Sequence, residues 1–526
     1  MKKLLLIVLF GAVLPVSIFF MTGCGPAHSP ISILSCPENE IMEPLLHDFE
    51  RMYKTRITME YEGSIDIMVE LAEGLPSYDA VWPANSLWIA LGDRGRRIEH
   101  TASIMKSPVV FGIRRDLAGE LGFVGSAVRV ADILEAVEKG RLSFMMTSAT
   151  QADSGAGGYL GILSALSGNP GVLTMDHLAT RELEPRIRSM LGGVHRSSGS
   201  SGWLKDLFVE SGYDAMVNYE ALIIEANREL TAREREPLYV VYPVDGTVMA
   251  DFPLGFVDRG IEGKEETFLK LREYLLSAEV GEEITALGRR AGNGKTAGKT
   301  DPEIFDPEWG TAAERVPSPI TIPSAEVILE SLNLYQTVFR KPSLTVYCLD
   351  YSQSMQEGGM RELTSAMGLL LDQEKAKKYL IQTGGEDITI VMPFSSTVLD
   401  LWTVKGNDPG ELEELLGRIG DFPPGGATDI YTPVITALNL ISEIENYTSY
   451  IPAIILMTDG ESNEGRTYTH LRNAWNTYTV DVPVFSIIFG TAVESQLERI
   501  SSLTRGRVFD GRDDLAKTFR KAKGYN

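Results

Sequence analysis

The chain has 526 residues, of which 44% are hydrophobic and 23% are charged, and its formal net charge at pH 7 is −23. A chain of this length is too long to fold around one ordinary hydrophobic core, so we expect several domains. The composition is that of a folded protein rather than of a disordered chain. The negative charge disfavours nucleic acid as a partner, because phosphate contacts need clustered lysine and arginine. It also disfavours docking on an anionic bilayer through surface charge.

Residues 1–23 have the features of an export signal. Two lysines precede an apolar stretch at 4–20, and Met-Thr-Gly then leads into Cys24. Small residues before a cysteine resemble the bacterial lipobox, which implies cleavage before Cys24 and its lipidation. An uncleaved membrane anchor is the alternative. In either case we expect the remainder to lie outside the cytoplasm, tethered to a membrane, because no later segment has the roughly 20 apolar residues that span a bilayer.

Strand and helix patterns alternate from residue 31 to about residue 298. A short apolar strand that begins at residue 31 precedes a helical spacing of apolar residues at 41–49. A further strand is predicted at 107–113, and the segment at 238–246 completes the pattern. Polar residues follow several of these strands at the start of a helix. Free backbone N–H groups and the helix dipole favour anionic or polar ligands at such positions.

This pattern resembles the periplasmic solute-binding proteins of bacterial transport systems, in which two α/β lobes close on a small ligand about a hinge. The resemblance predicts a module at 24–298, with lobe one at 31–107 plus 243–298 and lobe two at 108–242. Helix capping is the alternative role for each polar residue after a strand. Candidates for holding an oxyanion are Ser35, Ser64, Asn85, Ser148, Thr150 and Ser154, whereas Asp214, Glu220 and Asp245 would suit a cation or an amine.

Other local motifs predict no further chemistry. Cys36 and Cys348 lie in apolar strands of separate domains, so we expect free buried thiols rather than a disulfide. The histidine and cysteine spacing does not predict a zinc site. Gly-Asn-Gly-Lys-Thr at 292–296 lacks the first glycine of a phosphate loop, because Arg289 occupies that position. The serine-rich stretch at 197–203 lacks a nucleophile elbow and predicts a loop that leads into a helix.

A connector and a connecting helix are predicted at 299–342. Proline, aspartate, glutamate and threonine dominate 299–322 without hydrophobic periodicity, which is typical of an extended connector. Apolar residues recur at helical spacing over 324–339. We expect that helix to pack beside the last domain.

From residue 343 onward apolar strands alternate with helical patterns. This rhythm predicts a doubly wound, mostly parallel sheet, whose strand carboxyl ends all lie at one edge. Strands are predicted at 344–349, 388–394, 453–457 and 484–489, and helices at 360–382, 410–419, 431–445 and 467–478.

Oxygen-bearing side chains follow two of these strands. Asp350, Ser352 and Ser354 form a D-x-S-x-S loop, and Asp459 follows the strand at 453–457. Hard cations such as Mg²⁺ prefer carboxylate, hydroxyl and water oxygens, so a site here would be magnesium-like rather than zinc-like. The alternative to metal binding is a purely structural role, because aspartate and serine also occur in turns and helix caps.

Together with Gly-Gly-Ala-Thr-Asp at 425–429, these segments resemble the von Willebrand factor type A domain and its metal-ion-dependent adhesion site. The resemblance implies a doubly wound, Rossmann-like domain at 343–526 and a bound Mg²⁺, or else Mn²⁺ or Ca²⁺. The sequence departs from the family at Gln353, where the family usually has glycine. The implied metal ligands, direct or through water, are Asp350, Ser352, Ser354, Thr428 and Asp459.

The resemblance to both families implies an exported, lipid-anchored binding protein and no catalysis. In the type A family a partner's Glu or Asp carboxylate completes the coordination of the metal, so we expect a protein partner with an acidic side chain. The solute receptor of an ABC-type transport system is the alternative. Hydrolysis is a third hypothesis, because Glu461 lies close in sequence to the metal site.

Overall fold

The computed structural model describes residues 28–74, 77–292, 301–312, 318–478 and 480–525. The predicted export signal and Cys24 lie outside these residues, as does most of the Gly-Asn-Gly-Lys-Thr motif. Within the described ranges, none of the helices has the length and apolarity needed to cross a membrane.

The amino-terminal half is an alternation of short strands and helices. In chain order its strands are β1 (Ile31–Ser35), β2 (Ile57–Tyr61), β3 (Ala80–Trp82), β4 (Ile98–Ser103), β5 (Met105–Arg114), β6 (Phe144–Thr147), β7 (Val194–Ser198), β8 (Ala215–Tyr219), β9 (Leu238–Val241), β10 (Val248–Ala250), β11 (Pro253–Val257) and β12 (Arg290–Ala291). Its helices are α1 (Glu43–Tyr53), α2 (Ser64–Glu73), α3 (Ser86–Gly92), α4 (Arg115–Glu120), α5 (Val130–Glu138), α6 (Asp153–Leu166), α7 (Met175–Leu178), α8 (Leu183–Gly192), α9 (Ser201–Glu210), α10 (Glu220–Ala232), α11 (Lys264–Leu275) and α12 (Ala278–Ala286).

These elements form two lobes, each around its own sheet. The sheet of lobe one has the order β2-β1-β3-β11-β4, with β1 parallel to β2 and β3 and with β11 antiparallel to its neighbours. The central strands read as almost continuous apolar runs because helices cover the sheet. Helix α1, for example, buries Leu45, Leu46 and Phe49. The carboxyl ends of β1 and β2 face the second lobe.

Lobe two has the strand order β10-β5-β8-β6-β7, and β9 and β12 also pair with β5. The chain crosses between the lobes from β4 to β5 and returns from β10 to β11. These crossings lie a few residues from the boundaries predicted at 107 and 243, because β5 begins at Met105 and β10 still pairs with it. Apolar runs this short do not indicate which of two sheets they join.

The connector is packed rather than extended in its described part. Ile304 and Phe305 are buried against Ile224 of lobe two, and Glu308 forms an ion pair with Arg115 at 2.6 Å. The prediction of an extended connector is therefore wrong for residues 301–312, which pack against lobe two and contain a 3₁₀ turn at Pro307–Trp309. Burial of two apolar side chains outweighs the extended preference of the surrounding prolines.

Helix α13 (Ala325–Leu334) and the π-helical turn Tyr335–Phe339 lie between the modules rather than only beside the last domain. The Tyr159 hydroxyl of lobe two donates to the Ser331 carbonyl at 2.8 Å, and its ring packs 5.1 Å from that of Tyr335. On the other side Gln336 donates to the Gln382 carbonyl at 2.8 Å. The connecting helix therefore ties lobe two to the carboxyl-terminal domain.

The carboxyl-terminal domain contains the predicted doubly wound sheet, with strand order β15-β14-β13-β16-β17-β18. Every pairing is parallel except that of β15 with β14, so the strand ends that carry the polar loops share one edge. The strands are β13 (Ser343–Asp350), β14 (Ile388–Phe394), β15 (Trp402–Lys405), β16 (Ile451–Thr458), β17 (Val484–Ile488) and β18 (Val508–Asp510). The helices are α14 (Gly359–Leu371), α15 (Gln373–Lys378), α16 (Pro409–Asp421), α17 (Tyr431–Glu443), α18 (Tyr468–Thr477), α19 (Glu494–Leu503) and α20 (Leu515–Lys523).

The carboxyl-terminal domain contacts both lobes. On lobe two, Arg196 donates to the Arg505 carbonyl at 2.8 Å. On lobe one, Glu73 forms an ion pair with Lys378 at 2.6 Å. The carboxyl-terminal domain therefore bridges the two lobes.

A buried lysine in α20 makes the stability of this domain depend on pH. Burial lowers the pKa of Lys523 from 10.5 to about 8, although the carboxylate of Asp387 partly opposes this effect. Between pH 8 and 10.5 the unfolded chain binds more protons at this lysine than the folded chain, so stability rises with pH across that window. We expect Lys523→Met to stabilise the domain at pH 7 by up to roughly 3 kcal/mol and to remove this rise.

Urea unfolding of the carboxyl-terminal domain at pH 7 and pH 10 measures the effect. Lys377→Met removes an exposed lysine of the same domain and should change neither quantity. An unchanged pH slope in Lys523→Met would contradict the assignment.

Candidate metal centre and solute cleft

Three loops meet at the carboxyl edge of the last sheet. Asp350 is the last residue of β13, and the loop that follows carries Ser352 and Ser354. The loop before α17 carries Thr428, and the loop after β16 carries Asp459. Backbone hydrogen bonds tie the loops together: the Gln353 amide donates to the Gly426 carbonyl at 2.9 Å, and the Asn463 amide donates to the Thr428 carbonyl at 3.0 Å.

The predicted metal ligands lie in one cluster. The Ser352 and Ser354 hydroxyls are 3.0 Å apart, and the Ser354 hydroxyl donates to Asp459 Oδ1 at 2.7 Å. A Cβ built on Gly460 would lie 3.3 Å from Ser354 Oγ and 3.6 Å from Thr428 Oγ1, so the threonine hydroxyl reaches the same place. The cluster thus contains two carboxylates and three hydroxyls.

The carboxylates of this cluster are buried and are not neutralised by a cationic side chain. Burial raises the pKa of Asp350 to about 6, against the opposing hydrogen bonds from Thr458 and Ser352, and the charge of Asp459 raises it further. Burial likewise raises the pKa of Asp459. In the described part of the chain neither aspartate forms an ion pair with lysine or arginine. This donor set therefore fits a hard divalent cation, which would supply the missing positive charge.

One of the five cluster residues is exposed to solvent. Asp350, Ser352, Thr428 and Asp459 are buried, whereas Ser354 is exposed. Residue Gln353 has no positive φ and opens a 3₁₀ turn, so this backbone does not require glycine there. Glu461, the candidate base, is exposed on the loop after β16.

In lobe one, all three of the predicted solute-binding residues have structural partners. The Asn39 amide donates to the Ser35 hydroxyl at 2.9 Å, and Asn85 caps α3 by accepting from the Leu87 amide at 3.1 Å. The Ser64 hydroxyl accepts from the Ala84 amide at 2.9 Å, yet Ser64 also lines the cavity between the lobes. Ser64 is thus the lobe-one candidate that the structure places at the cleft.

In lobe two the candidate hydroxyls bond to each other and to the connecting helix. The Thr150 hydroxyl donates to Gln336 Oε1 at 3.2 Å and lies 3.2 Å from that of Ser148. The Ser154 hydroxyl lies 2.8 Å from Ser201 Oγ. These contacts are structural because the chain itself occupies the positions expected for an oxyanion.

The three acidic candidates also lie in structural contacts. Asp245 accepts from the Val130 amide at 2.9 Å at the start of α5, and Asp214 lies 3.7 Å from Arg114. Glu220 is fully buried in an ion pair with Arg290 at 2.8 Å. We therefore assign Glu220 a structural role rather than the predicted role toward an amine.

A cavity of about 220 Å³ separates the lobes where β1, β2 and β6 end. Most of the polar residues that line this cavity were not predicted from the sequence. Some of them, such as Glu38 and Glu62, lie just after a strand, which is the position at which ligand-binding residues were expected. Part of the wall comes from the carboxyl-terminal domain, which no local pattern could indicate. Lining residues that were not predicted include Glu38, Glu62, Asp66, Asp153, Arg507 and Tyr525.

One cavity residue joins the two lobes. Trp88 Nε1 of lobe one donates to Asp153 Oδ1 at 2.7 Å, and the Tyr219 hydroxyl of lobe two donates to Oδ2 at 2.9 Å. Burial raises the pKa of Asp153 to about 7, although both of these hydrogen bonds oppose the shift. Asp153 therefore fastens the lobes together at the inner end of the cavity.

Comparison with known proteins agrees with this architecture. Residues 31–290 match the family model of the bacterial extracellular solute-binding protein, and residues 346–520 match that of the von Willebrand factor type A domain. No curated protein matches the chain. The family matches confirm the predicted fold class.

Solved structures of both kinds resemble parts of the chain. The sulfate-binding protein SubI from Mycobacterium tuberculosis H37Rv is 16% identical, with a TM-score of 0.41, over 58% of this chain and 98% of that one. A ferric binding protein from Campylobacter jejuni is 14% identical, with a TM-score of 0.41, over 58% and 98%. A von Willebrand factor type A structure from Catenulispora acidiphila is 16% identical, with a TM-score of 0.29, over 36% of this chain and 43% of that one.

Proposed function

Because this chain joins an extracellular solute-binding domain to a von Willebrand factor type A domain, we propose that it is an extracytoplasmic binding protein. It engages a protein partner through a divalent metal and admits a small solute to the cleft between its lobes. The observation that carries the proposal is the cluster of five oxygen-bearing side chains, whose two carboxylates have no cationic partner in the described residues.

Each residue of the cluster has a distinct part in this proposal. Asp350 and Asp459 provide the negative charge, and Thr458 orients Asp350 by donating to its Oδ2 at 2.6 Å. Ser352, Ser354 and Thr428 provide neutral oxygens. A bound Mg²⁺ would supply an electrophilic centre with a coordination position left for a carboxylate oxygen. The exposed position of Ser354 leaves the approach to that position open to solvent.

The partner in this proposal offers a Glu or Asp side chain, and the chain is held at the membrane by a lipid on Cys24. Both parts rest on the sequence resemblance. Both domain families consist of binding modules, so we propose recognition without catalysis.

Partner capture from cell-envelope extract tests the metal bridge. We expect the wild type to capture a partner in Mg²⁺. Asp459→Ala or a chelator should reduce capture to the background of resin that carries no protein, because the metal that bridges to the partner is lost. Glu461→Gln is the matched control, since it removes an exposed carboxylate from the same loop. Capture that persists in chelator would contradict the proposal.

The alternative function is the solute receptor of an ABC-type transport system. The cavity between the lobes favours it, because both lobes contribute polar groups to the lining. Calorimetric titration with candidate solutes distinguishes the two: a transport receptor should bind one solute tightly whether or not Mg²⁺ is present.

A further inference from the structure

The last helix of the type A domain presents cations to lobe one. Lys517 contacts Glu62 and lies 3.0 Å from Glu70, and Lys521 lies 3.8 Å from Glu62. Arg520 pairs with Asp66, and both side chains are almost completely buried. We call Glu62, Asp66 and Glu70 the acidic wall. Without α20, these three carboxylates would have no ion-pair partner within the described residues, and two of them, Glu62 and Asp66, line the cavity.

The cavity lies at the foot of the acidic wall. Glu62 and Asp66 line it, as does Glu38, which forms no ion pair within the described residues. Glu62 is only 6% exposed, and its Oε2 atom has no hydrogen-bond partner in the described part of the chain. A buried acceptor without a donor is unfavourable, and an N–H group of a guest would satisfy it.

The carboxyl-terminal segment is fitted closely into the mouth of the cleft. The ring of Tyr525 packs 5.2 Å from that of Trp203. A Cβ on Gly199 would lie 2.6 Å from the Tyr525 ring, so the two residues are in close contact. Arg507 donates to the Tyr525 hydroxyl at 2.7 Å. The type A domain therefore closes the cleft with an aromatic side chain and a basic helix.

A larger groove leads from this closure to solvent. Its volume is about 860 Å³, and it shares Glu38, Ser200 and Arg507 with the cavity. Its lining contains five carboxylates and three cationic side chains, so acidic groups are in excess; the carboxylates belong to Glu38, Glu40, Glu43, Asp206 and Glu225 and the cations to Lys205, Arg289 and Arg507. A groove with an excess of one sign of charge attracts ligands of the opposite sign.

We infer that the acidic wall recognises a cationic solute, one that carries an ammonium or guanidinium group. In the docked chain the cationic face of α20 is an internal occupant of the wall, which this solute displaces, whereas the apolar face of α20 stays in the core of the type A domain. The inference rests on the solute-binding part of the proposed function. The cationic partners of the wall on α20 indicate a cationic guest, and the unsatisfied oxygen of Glu62 indicates an N–H donor. Because α20 is tethered, it competes at high effective concentration, and the docked chain binds the solute weakly.

Titration of the full chain with argininamide acetylated on its α-nitrogen, called argininamide below, tests the inference. Citrullinamide acetylated in the same way is the probe of nearly equal shape, and it carries no charge. We expect the triple variant Lys517→Ala, Arg520→Ala, Lys521→Ala to bind argininamide about tenfold or more tightly than the wild type. In this variant the cations of α20 no longer occupy the acidic wall, so a larger fraction of the chain can bind the solute. Adding Glu62→Gln and Asp66→Asn to that variant should abolish the binding. Equal affinity for both probes would overturn the inference.

A matched control removes the same number of charges elsewhere on the domain. Lys375→Ala, Arg418→Ala, Arg512→Ala changes three exposed cations whose ion pairs are local to the type A domain. This control should bind argininamide as the wild type does. An equal gain in affinity in the control would show a general charge effect and would overturn the role of α20.

Hydrogen exchange of the wild type provides a test that needs no variant. Saturating argininamide should increase exchange at residues 515–525, and unchanged exchange would overturn displacement. A chain that binds sulfate or glucose but not argininamide would refute the cationic class and leave solute binding intact. If the chain binds none of these probes, the cationic inference is wrong. The metal-dependent capture of a partner is tested by a separate experiment and does not depend on this result.

Discussion

Saturating Mg²⁺ is expected to stabilise the carboxyl-terminal domain of the wild type and to leave Asp350→Ala unchanged. A ligand that binds only the folded state adds about 2.7 kcal/mol to the free energy of unfolding at a hundredfold excess over its Kd. The effect should be large here because the ion would neutralise two buried carboxylates whose pKa values are already raised by burial. Thermal unfolding of the domain, with and without Mg²⁺, measures it.

The control for this prediction is Glu461→Gln, which keeps all five oxygen ligands. It should retain the full response to Mg²⁺. Asp350→Ala can by itself alter stability, because it removes a buried charge, so the diagnostic quantity is the difference between the metal-bound and metal-free states of each variant. An equal Mg²⁺ response in Asp350→Ala and the wild type would contradict the predicted ligand set.

Glu220→Ala is expected to destabilise lobe two by about 3–5 kcal/mol, because removal of one partner of a buried ion pair leaves the other charge uncompensated. Glu220 and Arg290 are both fully buried, and Arg290 bonds to both carboxylate oxygens at 2.8 Å. The Tyr242 hydroxyl also donates to Glu220. The pair fastens β12 to the start of α10. Urea unfolding followed by tryptophan fluorescence measures the loss.

The double variant Glu220→Met, Arg290→Met separates the charge effect from the packing effect. Apolar side chains of similar volume can replace a buried pair at little cost, so the double variant should be more stable than Glu220→Ala. If it is the less stable of the two, the uncompensated arginine is not the main cause of the loss.

Local sequence patterns predicted the strands and helices near the metal cluster well. The eight-residue run of β13 is buried throughout, and strands of that kind lie in the centre of a parallel sheet. The five oxygen-bearing residues follow strand ends or precede helices, and the sheet brings those positions to one edge. The antiparallel strand β15 was missed, because its alternation of buried and exposed residues is only four residues long.

The solute cleft was much less predictable. Polar residues after strands satisfy backbone and side-chain groups as readily as they bind ligands, and Ser35, Asn85 and Ser154 do the former. The cavity lining that replaces them includes Arg507 and Tyr525, which lie more than 200 residues away along the chain from every lining residue of the two lobes. Spacing within one segment carries no information about such contacts.

By itself, the sequence determined the two α/β modules and the order of the polar loops, because hydrophobic periodicity and turn chemistry act over a few residues. Only the tertiary structure decided that Glu220 forms a buried ion pair with Arg290, that the connecting helix lies between the modules, and that α20 faces the acidic wall. Those outcomes depend on which surfaces meet after the domains have folded. Complementary charge and close packing between distant segments select that arrangement, and neither is visible in local spacing.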